Sequence, residues 1–248
     1  MTLEQFFAEN REVAVAFSGG VDSAYLLYAA TRYAARVKAY YVSTAFQPEF
    51  ELADARRLAA DVGADMQVLH VDVLMSGAVM ANPPDRCYHC KNTLFRQILR
   101  AAENDGFPVL LDGTNASDDA GDRPGMRALR ELSVRSPLRE CSLTKAEIRR
   151  LSKKAGLFTW DKPAYACLAT RFRTGEEITL QKLKQTEKAE GFLFGLGFRD
   201  FRVRMVDNTA KLELREADLP LLLENREKIV TELRKDYDSV LLNLEVRK

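Results

Sequence analysis

Two cysteines three positions apart are the residues in this sequence that most directly suggest chemistry. Cys87 and Cys90 lie in the segment NPPDRCYHCKNTLF at residues 82–95, whose prolines indicate a loop. Two thiolates at this spacing can bind one metal ion, form a redox pair, or have no common role. The 248-residue chain contains four cysteines, too few for a disulfide scaffold, so this close pair is a candidate for metal binding or catalysis.

A second candidate site is SGGVDS at residues 18–23, which follows the apolar run VAVAF and leads directly into a helical pattern. Adjacent glycines allow a tight turn that brings backbone N–H groups close to an anion, and the helix N-terminus adds partial positive charge. The hydroxyls of Ser18 and Ser23 can complete a cradle for pyrophosphate. The lysine of a Walker A motif and the G-x-G-x-x-G fingerprint are both missing, which excludes those two phosphate loops. The alternative is a simple strand-to-helix turn capped by Asp22 or Ser23.

The first half of the chain alternates apolar runs with helical patterns. The apolar runs predict strands at residues 13–17, 37–43, 66–73 and 108–115. The helical patterns predict helices at residues 22–35, 51–64, 91–106 and 143–157. This βαβα order predicts an α/β fold with a mostly parallel sheet that is covered by helices on both faces.

The pattern changes after about Arg173. A helix ending in glycines, two strands of alternating apolar and polar residues, the helix LPLLLENREKIVTELRKDY and a last strand give the order αββαβ. We therefore expect two domains, a larger α/β domain at residues 1–173 and a small α+β domain at residues 174–248.

Composition and charge exclude several classes of protein. A hydrophobic content of 46% with 29% charged residues is typical of a globular chain with a sizeable core. The formal net charge of +1 argues against binding to nucleic acid or membranes through bulk electrostatics. The N-terminal sequence lacks the regions of a signal peptide, and no apolar stretch has the length of a membrane span. We expect a cytoplasmic protein with reduced thiols.

The segment SGGVDS after a strand resembles the PP-loop of ATP pyrophosphatases, the superfamily that includes GMP synthetase, NAD synthetase and tRNA thiolases. The resemblance implies an adenine nucleotide α-hydrolase-like (Rossmann-like) fold that splits ATP to AMP and pyrophosphate while it adenylates a substrate oxygen. It implies that Ser43 borders the adenosine pocket. The residues implied to hold the pyrophosphate, together with Mg²⁺, are Ser18, Gly19, Gly20, Asp22 and Ser23.

Three further segments, together with PPDRCYHCK, resemble the LarE family of ATP-dependent sulfur transferases over nearly the whole chain. The segment at 110–131 places Gly113 at the end of a strand, where open α/β sheets bind ligands, and continues with Asp118 and Arg123. The segment KPAYACLATRF places Cys167 four residues before Arg171. The segment FRVRMVDNTAKLEL carries Arg202 and Arg204.

The LarE resemblance implies a reaction. The family makes the thiocarboxylates of the nickel-pincer cofactor of lactate racemase, so ATP adenylates a carboxylate of pyridinium-3,5-biscarboxylic acid mononucleotide and sulfur then displaces AMP. In the better-known branch of the family, the cysteine at the place of Cys167 gives up its own sulfur. This sequence keeps Cys167 and adds Cys87 and Cys90. Three cysteines are the right number to hold a 4Fe-4S cluster by three irons and leave one iron open for hydrosulfide.

Other roles for the cysteines remain open at this point. Cys141 can complete a structural Cys₄ zinc site with the other three. The Cys87–Cys90 pair can instead be a redox pair that resolves a persulfide on Cys167, or the cysteines can be unconnected. His89, between the paired cysteines, is interpreted as an exposed loop residue.

A site that binds a substrate with one phosphate and two carboxylates needs basic residues. Arg202 and Arg204, two apart on a strand, point to the same face and suit phosphate; the alternative is a solvated strand face balanced by glutamates. The resemblance assigns them to a phosphate site near a subunit interface of a homo-oligomer, a hexamer. It assigns the residues Glu190 and Glu213 to a divalent-metal site, where a further carboxylate of the family is replaced by Leu221, and it makes Lys91 and Arg171 neighbours of the reacting centre.

Two other functions fit the same fold. One is a tRNA 2-thiolase-like enzyme that uses a cysteine persulfide, although near-neutral charge and the lack of a basic RNA-binding appendage make nucleic acid an unexpected partner. The other is a nucleotide-binding sensor without chemistry. We expect a small-molecule substrate and no membrane partner.

Overall fold

The computed structural model describes residues 1–118 and 124–247. The chain folds into two compact units, one comprising Met1–Val73 and Asp85–Lys162 and the other comprising Leu74–Pro84 and Pro163–Lys248. The domain boundary between residues 173 and 174 stays a prediction. No helix in the described part of the chain combines the length and apolarity that a membrane span requires.

The α-helices of the described residues are α1 (Leu3–Glu9), α2 (Val21–Tyr33), α3 (Glu49–Asp61), α4 (Gly77–Met80), α5 (Arg86–Asn104), α6 (Pro124–Glu131), α7 (Pro137–Glu140), α8 (Lys145–Lys154), α9 (Leu180–Gly195), α10 (Leu219–Glu224) and α11 (Arg226–Leu233). The strands are β1 (Glu12–Ala16), β2 (Arg36–Ser43), β3 (Asp65–His70), β4 (Val109–Leu111), β5 (Arg202–Val206), β6 (Thr209–Glu213) and β7 (Ser239–Leu242). Short 3₁₀ helices occur at Val73–Met75, Phe158–Asp161, Leu168–Arg171 and Glu216–Asp218.

The first unit is built on a parallel four-stranded sheet with the order β3-β2-β1-β4. Alternate residues of β1 point to opposite faces, and both faces are buried, which is why its sequence is a continuous apolar run. Val13 and Val15 face a core formed with α1, α2, α3, α7 and α8, whereas Ala14 and Tyr40 face a core formed with α5. The prediction of a parallel α/β sheet with helices on both faces is therefore confirmed.

Helix α5 begins at Arg86 instead of at Lys91, so the cysteine pair lies in a helix. The prediction of a proline-marked loop was wrong for Cys87 and Cys90, which occupy the first turn and a half of α5. Pro83 and Pro84 disfavour helical backbone in the residues before them, so the helix begins only after these prolines, at Arg86.

The second unit contains a three-stranded sheet with the order β5-β6-β7. Strands β5 and β6 form the predicted antiparallel hairpin, whose two-residue turn places Asp207 and Asn208 at positive φ (46° and 59°), as such tight turns require. The helix expected after this hairpin is divided at Asn225, whose side-chain amide donates to the Leu221 carbonyl and so competes with the helical ladder. A small α+β sheet at the C-terminal end agrees with the sequence-based prediction.

Candidate active site

The loop between β1 and α2 forms a polar cradle at the carboxyl end of the parallel sheet. The hydroxyls of Ser18 and Ser23 lie 3.0 Å apart, and Ser23 also accepts from the Ser18 N–H at 3.3 Å. Gly20 caps α2 without a side chain, and the N–H of Gly20 donates weakly to the Ser18 hydroxyl at 3.5 Å. The two hydroxyls and the helix N-terminus are thus gathered in one place, as an anion-binding turn requires.

Two glycines are needed by the close packing around this cradle. Gly19 adopts φ +74°, and an added Cβ would lie 3.3 Å from the Ala55 Cβ of α3. Gly113, just after β4, packs directly on the loop: an added Cβ would lie 2.9 Å from the Ser23 nitrogen and 3.1 Å from the Ser23 Cα. Strand β4 therefore brings the predicted Gly113 into contact with the predicted phosphate loop.

Asp22, in the first turn of α2, faces Lys145, the first residue of α8. The Lys145 Nζ donates to the Asp22 Oδ2 at 2.5 Å. Burial raises the pKa of Asp22 above its ordinary value of 3.8, although the Lys145 charge acts in the opposite direction. The Asp22 Oδ1 is buried and has no hydrogen-bond partner among the described residues. A buried carboxylate oxygen without a donor is a suitable ligand for a hard cation such as Mg²⁺.

The loop after β4 is fixed by its own side chains. Asp112 is buried and accepts hydrogen bonds from the hydroxyls of Thr114 and of Ser136, the latter at 2.5 Å. The Asp118 carboxylate accepts from the Asn115 N–H at 2.8 Å, and its charge acts to raise the pKa of Asp22. The residue before Asp118, Ser117, accepts from the Lys145 N–H at 2.9 Å, so this loop lies beside the partner of Asp22.

Two further residues were predicted to bind the nucleotide, Ser43 and Arg123, and the structure describes only the first. Ser43 ends β2 and is half-buried, and its carbonyl accepts from the Val71 N–H at 3.0 Å, so it lies at the same carboxyl edge of the sheet as the cradle. Arg123 lies outside the described residues.

The cysteine pair lies on one helical turn at the start of α5. Cys87 is exposed and Cys90 is half-buried, and a three-residue spacing puts both thiols on the same side of the helix. His89 is half-exposed and pairs with Asp85 at 3.2 Å, one turn earlier. Lys91 packs its stem against Gly125 of α6, where an added Cβ would lie 3.1 Å from the Lys91 Cδ.

Cys141 belongs to a different region of the same unit. It packs against the core between the sheet and α1, α2 and α8, on the opposite face from the core that includes α5. Burial raises the pKa of the Cys141 thiol above its ordinary value. These facts argue against the Cys₄ zinc site that the sequence left open.

In the second unit, Cys167 precedes a 3₁₀ helix that is held by Arg171. The Cys167 carbonyl accepts from both the N–H (2.9 Å) and the hydroxyl (2.8 Å) of Thr170. Arg171 is fully buried, and its Nη1 donates to the Ala166 carbonyl at 3.1 Å and to the Thr170 hydroxyl at 2.8 Å. The predicted neighbour Arg171 therefore binds the backbone carbonyl before Cys167 directly, and it reaches the Cys167 carbonyl through the Thr170 hydroxyl.

Glu190 of α9 is the counter-charge of Arg171. Its two oxygens accept from the Arg171 Nε at 2.7 Å and Nη2 at 3.0 Å, and also from the Val203 N–H at 2.9 Å and the Tyr165 hydroxyl. Burial acts to lower the pKa of Arg171, but its hydrogen bonds and ion pair with Glu190 outweigh burial and raise that pKa overall.

Arg202 and Arg204 of β5 hold the same segment from the other side. Arg202 is buried, and its Nη2 donates to the Ala164 carbonyl at 2.7 Å. Arg204 donates to the Thr170 carbonyl and pairs with Glu213 at 3.1 Å. Burial and the nearby cations lower the pKa of Arg202. The interpretation of a solvated strand face does not hold for Arg202, whereas the phosphate role of both arginines stays a prediction.

A cavity of about 670 Å³ in the second unit opens beside these arginines. Its lining includes the basic residues Arg173, Arg204 and Lys211 and the acidic residue Glu213, and Arg171 borders it. A pocket rich in cations can bind a phosphate or carboxylate of a small molecule.

The predicted divalent-metal residues of this unit are already paired with arginines. Glu190 is saturated by the donors around Arg171, and Glu213 lies between Arg204 and Arg247. No group of three or more His, Cys, Asp or Glu side chains is arranged to hold a metal ion within residues 1–118 and 124–247. The residues as they stand do not fit a divalent ion, and the metal assignment stays a prediction.

The predicted site residues therefore fall into two sets. The first unit contains the phosphate loop, Ser43, Gly113, Asp118, Lys91 and the Cys87–Cys90 pair; the second unit contains Cys167, Arg171, Glu190, Arg202, Arg204 and Glu213. Lys145 and Arg86 were not predicted from the sequence. The signal for Lys145 is its position at the first turn of a capped helix, where a long cation can reach back across the sheet edge.

Comparison with known proteins gives a family match and several relatives. The model of the asparagine synthase family matches residues 4–158. The chain is 34% identical to the pyridinium-3,5-bisthiocarboxylic acid mononucleotide synthase of Lactiplantibacillus plantarum, over 87% of this chain and 79% of that protein. It is 39% identical to an uncharacterised protein of Synechocystis sp. over 86% of this chain and 80% of that protein. It is 31% identical to an uncharacterised protein of Methanocaldococcus jannaschii, over 96% of this chain and 91% of that protein.

Proposed function

Because this chain belongs to the LarE family of PP-loop ATP-dependent sulfur transferases, we propose that it uses ATP to activate a carboxylate of pyridinium-3,5-biscarboxylic acid mononucleotide and then replaces a carboxylate oxygen with sulfur. The observation that carries the proposal is the cradle of Ser18, Gly20 and Ser23 beside the half-buried Asp22–Lys145 ion pair. This is a site for pyrophosphate with its metal ion, and ATP cleavage between the α- and β-phosphates releases pyrophosphate there.

In the first step a substrate carboxylate oxygen attacks the α-phosphorus of ATP. The bond from the α-phosphorus to the bridging oxygen breaks, and pyrophosphate leaves with the electron pair. The N-terminus of α2 and the serine hydroxyls stabilise the developing negative charge. Asp22 would hold Mg²⁺ through its Oδ1, which accepts no hydrogen bond from the described residues. Lys145 supplies a second cation at the same end of the cradle.

In the second step hydrosulfide attacks the carbonyl carbon of the acyl adenylate. The carbon–oxygen bond to AMP breaks, AMP leaves, and a thiocarboxylate remains. Backbone around Cys167 is tied by Arg171 and Arg204, which suits a group that has to present sulfur at a fixed position. Arg204 and Lys211, which line the cavity of the second unit, are proposed to bind an anionic group of the mononucleotide.

We propose Cys87, Cys90 and Cys167 as the ligands of a 4Fe-4S cluster. Two observations support this proposal: thiolates are the ligands that iron–sulfur clusters prefer, and Cys87 and Cys90 share one helical turn. When bound, a cluster with one open iron would supply sulfide to the reaction and spare Cys167. Cys141 is not part of this proposal, because it packs against the core on the other face of the sheet.

The function is tested by pyrophosphate release from ATP with and without the pyridinium biscarboxylate mononucleotide, together with mass spectrometry of the product. Wild type should release pyrophosphate only with the substrate and form a thiocarboxylate, and a Ser18→Ala, Ser23→Ala double variant should lose both. ATP binding without pyrophosphate release would indicate a sensor. Substrate-independent binding of RNA that weakens steeply with salt would favour the tRNA thiolase alternative.

The cluster is tested separately on anaerobically purified protein. Iron and acid-labile sulfide that are lost in Cys87→Ala and in Cys167→Ala, with pyrophosphate release retained, would support the three-cysteine assignment. Colourless wild type without iron under reconstitution conditions would exclude it and leave sulfur transfer through a persulfide or through Cys167 itself. The family's homo-oligomeric assembly, a hexamer, is proposed for this chain and is measured by light scattering.

A further inference from the structure

Arg86, the first residue of α5, is buried in an unusual way. Its side chain belongs to a residue that is only 7% exposed, yet it forms no ion pair with a carboxylate of the described residues. A buried guanidinium is normally paired, because taking an uncompensated charge out of water costs several kcal/mol. A buried cation with an unused donor group is therefore a candidate binding site for an anion.

The contacts of the Arg86 guanidinium leave donors unused. Its Nη2 donates to the Cys87 Sγ at 3.6 Å, and the guanidinium lies 5.7 Å from the centre of the Phe46 ring. The buried Nη1 has no hydrogen-bond acceptor in the described part of the chain. The Nη1 group therefore keeps its two N–H donors unused, next to the Nη2 group that contacts the Cys87 sulfur.

The backbone around Arg86 reinforces the positive charge. Helix α5 runs from Arg86 to Asn104, has no acidic residue in its first turn, and is not capped by a hydrogen bond from the Asp85 side chain. The Asp85 carboxylate instead pairs with His89 at 3.2 Å. The helix N-terminus therefore keeps its partial positive charge and its open N–H groups at the same turn that carries both thiols.

A purely structural role explains these contacts less well. A cation–π contact at 5.7 Å lies near the outer limit of about 6 Å, and it leaves the charge of Arg86 uncompensated. A methionine of similar length would pack against Phe46 without the cost of burying a charge. The geometry favours a residue that is held there for an anionic ligand.

We propose that Arg86 and the N-terminus of α5 form a binding site for reduced sulfur carried by the Cys87–Cys90 turn. The ligand chemistry is a soft sulfur anion, either a bridging sulfide of a cluster or the terminal sulfur of a persulfide. Arg86 is a positioning residue: it donates N–H groups to that sulfur and slows its loss. The proposal rests on the proposed sulfur transfer, but it concerns sulfur retention and not ATP cleavage.

The test compares wild type with Arg86→Met, Arg86→Lys and the matched control Arg96→Met, which changes an exposed arginine of the same helix. In one arm, each protein is reconstituted with iron and sulfide, and the rate of iron release to a chelator is measured. In the other arm, metal-free protein is treated with inorganic polysulfide. The Cys87 thiolate attacks a polysulfide sulfur, a new S–S bond forms, and the shortened polysulfide leaves; mass spectrometry then follows the lifetime of the persulfide.

We expect Arg86→Met to lose sulfur or iron about 10- to 100-fold faster than wild type, as loss of a hydrogen-bonding group around a metal ligand typically does. Arg86→Lys should fall between them, and Arg96→Met should match wild type. Urea unfolding should find Arg86→Met as stable as wild type or more stable, which a structural arginine would not produce.

Equal retention by wild type and Arg86→Met in both arms would overturn the proposal, as would a wild type that holds sulfur at this turn in neither form. A large stability loss in Arg86→Met would assign Arg86 to packing instead. Pyrophosphate release is measured on the same samples. Its absence in wild type would contradict the proposed function while the sulfur-retention result still decides the role of Arg86.

Discussion

Replacing Glu190 by glutamine tests whether the buried Arg171–Glu190 pair holds the Cys167 segment. Both side chains belong to residues that are 1% exposed, and the carboxylate accepts two hydrogen bonds from Arg171, one from the Val203 N–H and one from the Tyr165 hydroxyl. Glutamine keeps the shape but removes the charge and turns one acceptor into a donor that faces other donors. Leaving a buried charge uncompensated costs about 3–5 kcal/mol, and we expect a loss of that order in the free energy of unfolding.

The functional effect of Glu190→Gln should be uneven between the two steps. Arg171 also donates to the Ala166 carbonyl and to the Thr170 hydroxyl, which in turn donates to the Cys167 carbonyl, so a displaced Arg171 loosens the segment around Cys167. The phosphate loop belongs to the other unit and keeps its own hydrogen bonds. Thiocarboxylate formation should therefore fall more than substrate-dependent pyrophosphate release, when both are measured under conditions where the variant is folded.

Two matched variants make this result decisive. Lys188→Gln removes an exposed ion pair with Asp236 from the same helix α9 and should leave urea unfolding unchanged. The double variant Arg171→Met, Glu190→Met should recover much of the stability but not the thiocarboxylate activity, because an apolar pair can pack without gripping the backbone. A loss of less than about 1 kcal/mol in Glu190→Gln, as for a surface pair, would refute the reasoning.

Three further predictions concern single residues of the first unit. Burial raises the pKa of Asp22, so the folded state favours the protonated carboxyl, and the stability that this form contributes is lost as pH rises through that pKa. At neutral pH the Asp22→Asn variant should therefore unfold at a higher urea concentration than wild type, and this difference should disappear below pH 3.8. The variant should also lose pyrophosphate release. Gly113→Ala should abolish pyrophosphate release because its Cβ would meet loop backbone at 2.9 Å, whereas Gly77→Ala, with open space around it, should not. Cys141→Ala should leave iron and sulfide content unchanged and Cys87→Ala should lower both; zinc lost in Cys141→Ala would contradict this.

The parallel sheet could be predicted because its strands are buried on both faces and so form continuous apolar runs. The start of α5 could not. The turn that holds Cys87 and Cys90 follows two prolines, has no Ser or Thr cap, and has no apolar stripe, because its buried residue is the cation Arg86. The first turn of α5 buries a charged residue, Arg86, and the spacing of hydrophobic residues does not predict a turn of this kind.

The site divides in the same way between local and distant determinants. The phosphate loop could be predicted because its hydroxyls and glycines lie within six consecutive residues. The Asp22–Lys145 pair joins residues 123 positions apart, so only the folded sheet reveals it. Arg171 and Glu190 were both singled out in the sequence, but nothing in their spacing indicates that they neutralise each other.

Two of the buried arginines, Arg171 and Arg86, give opposite expectations for the same substitution. Arg171 is matched by Glu190, so Arg171→Met strands a buried carboxylate and should lower the free energy of unfolding. Arg86 lacks such a partner among the described residues, so Arg86→Met removes an uncompensated charge and should not lower it. The destabilising charge of Arg86 is explained if the guanidinium binds an anionic ligand. The charge of Arg171 needs no such ligand, because Glu190 neutralises it. If both substitutions were equally destabilising in urea, Arg86 would be a structural residue and the sulfur site at the start of α5 would lose its main support.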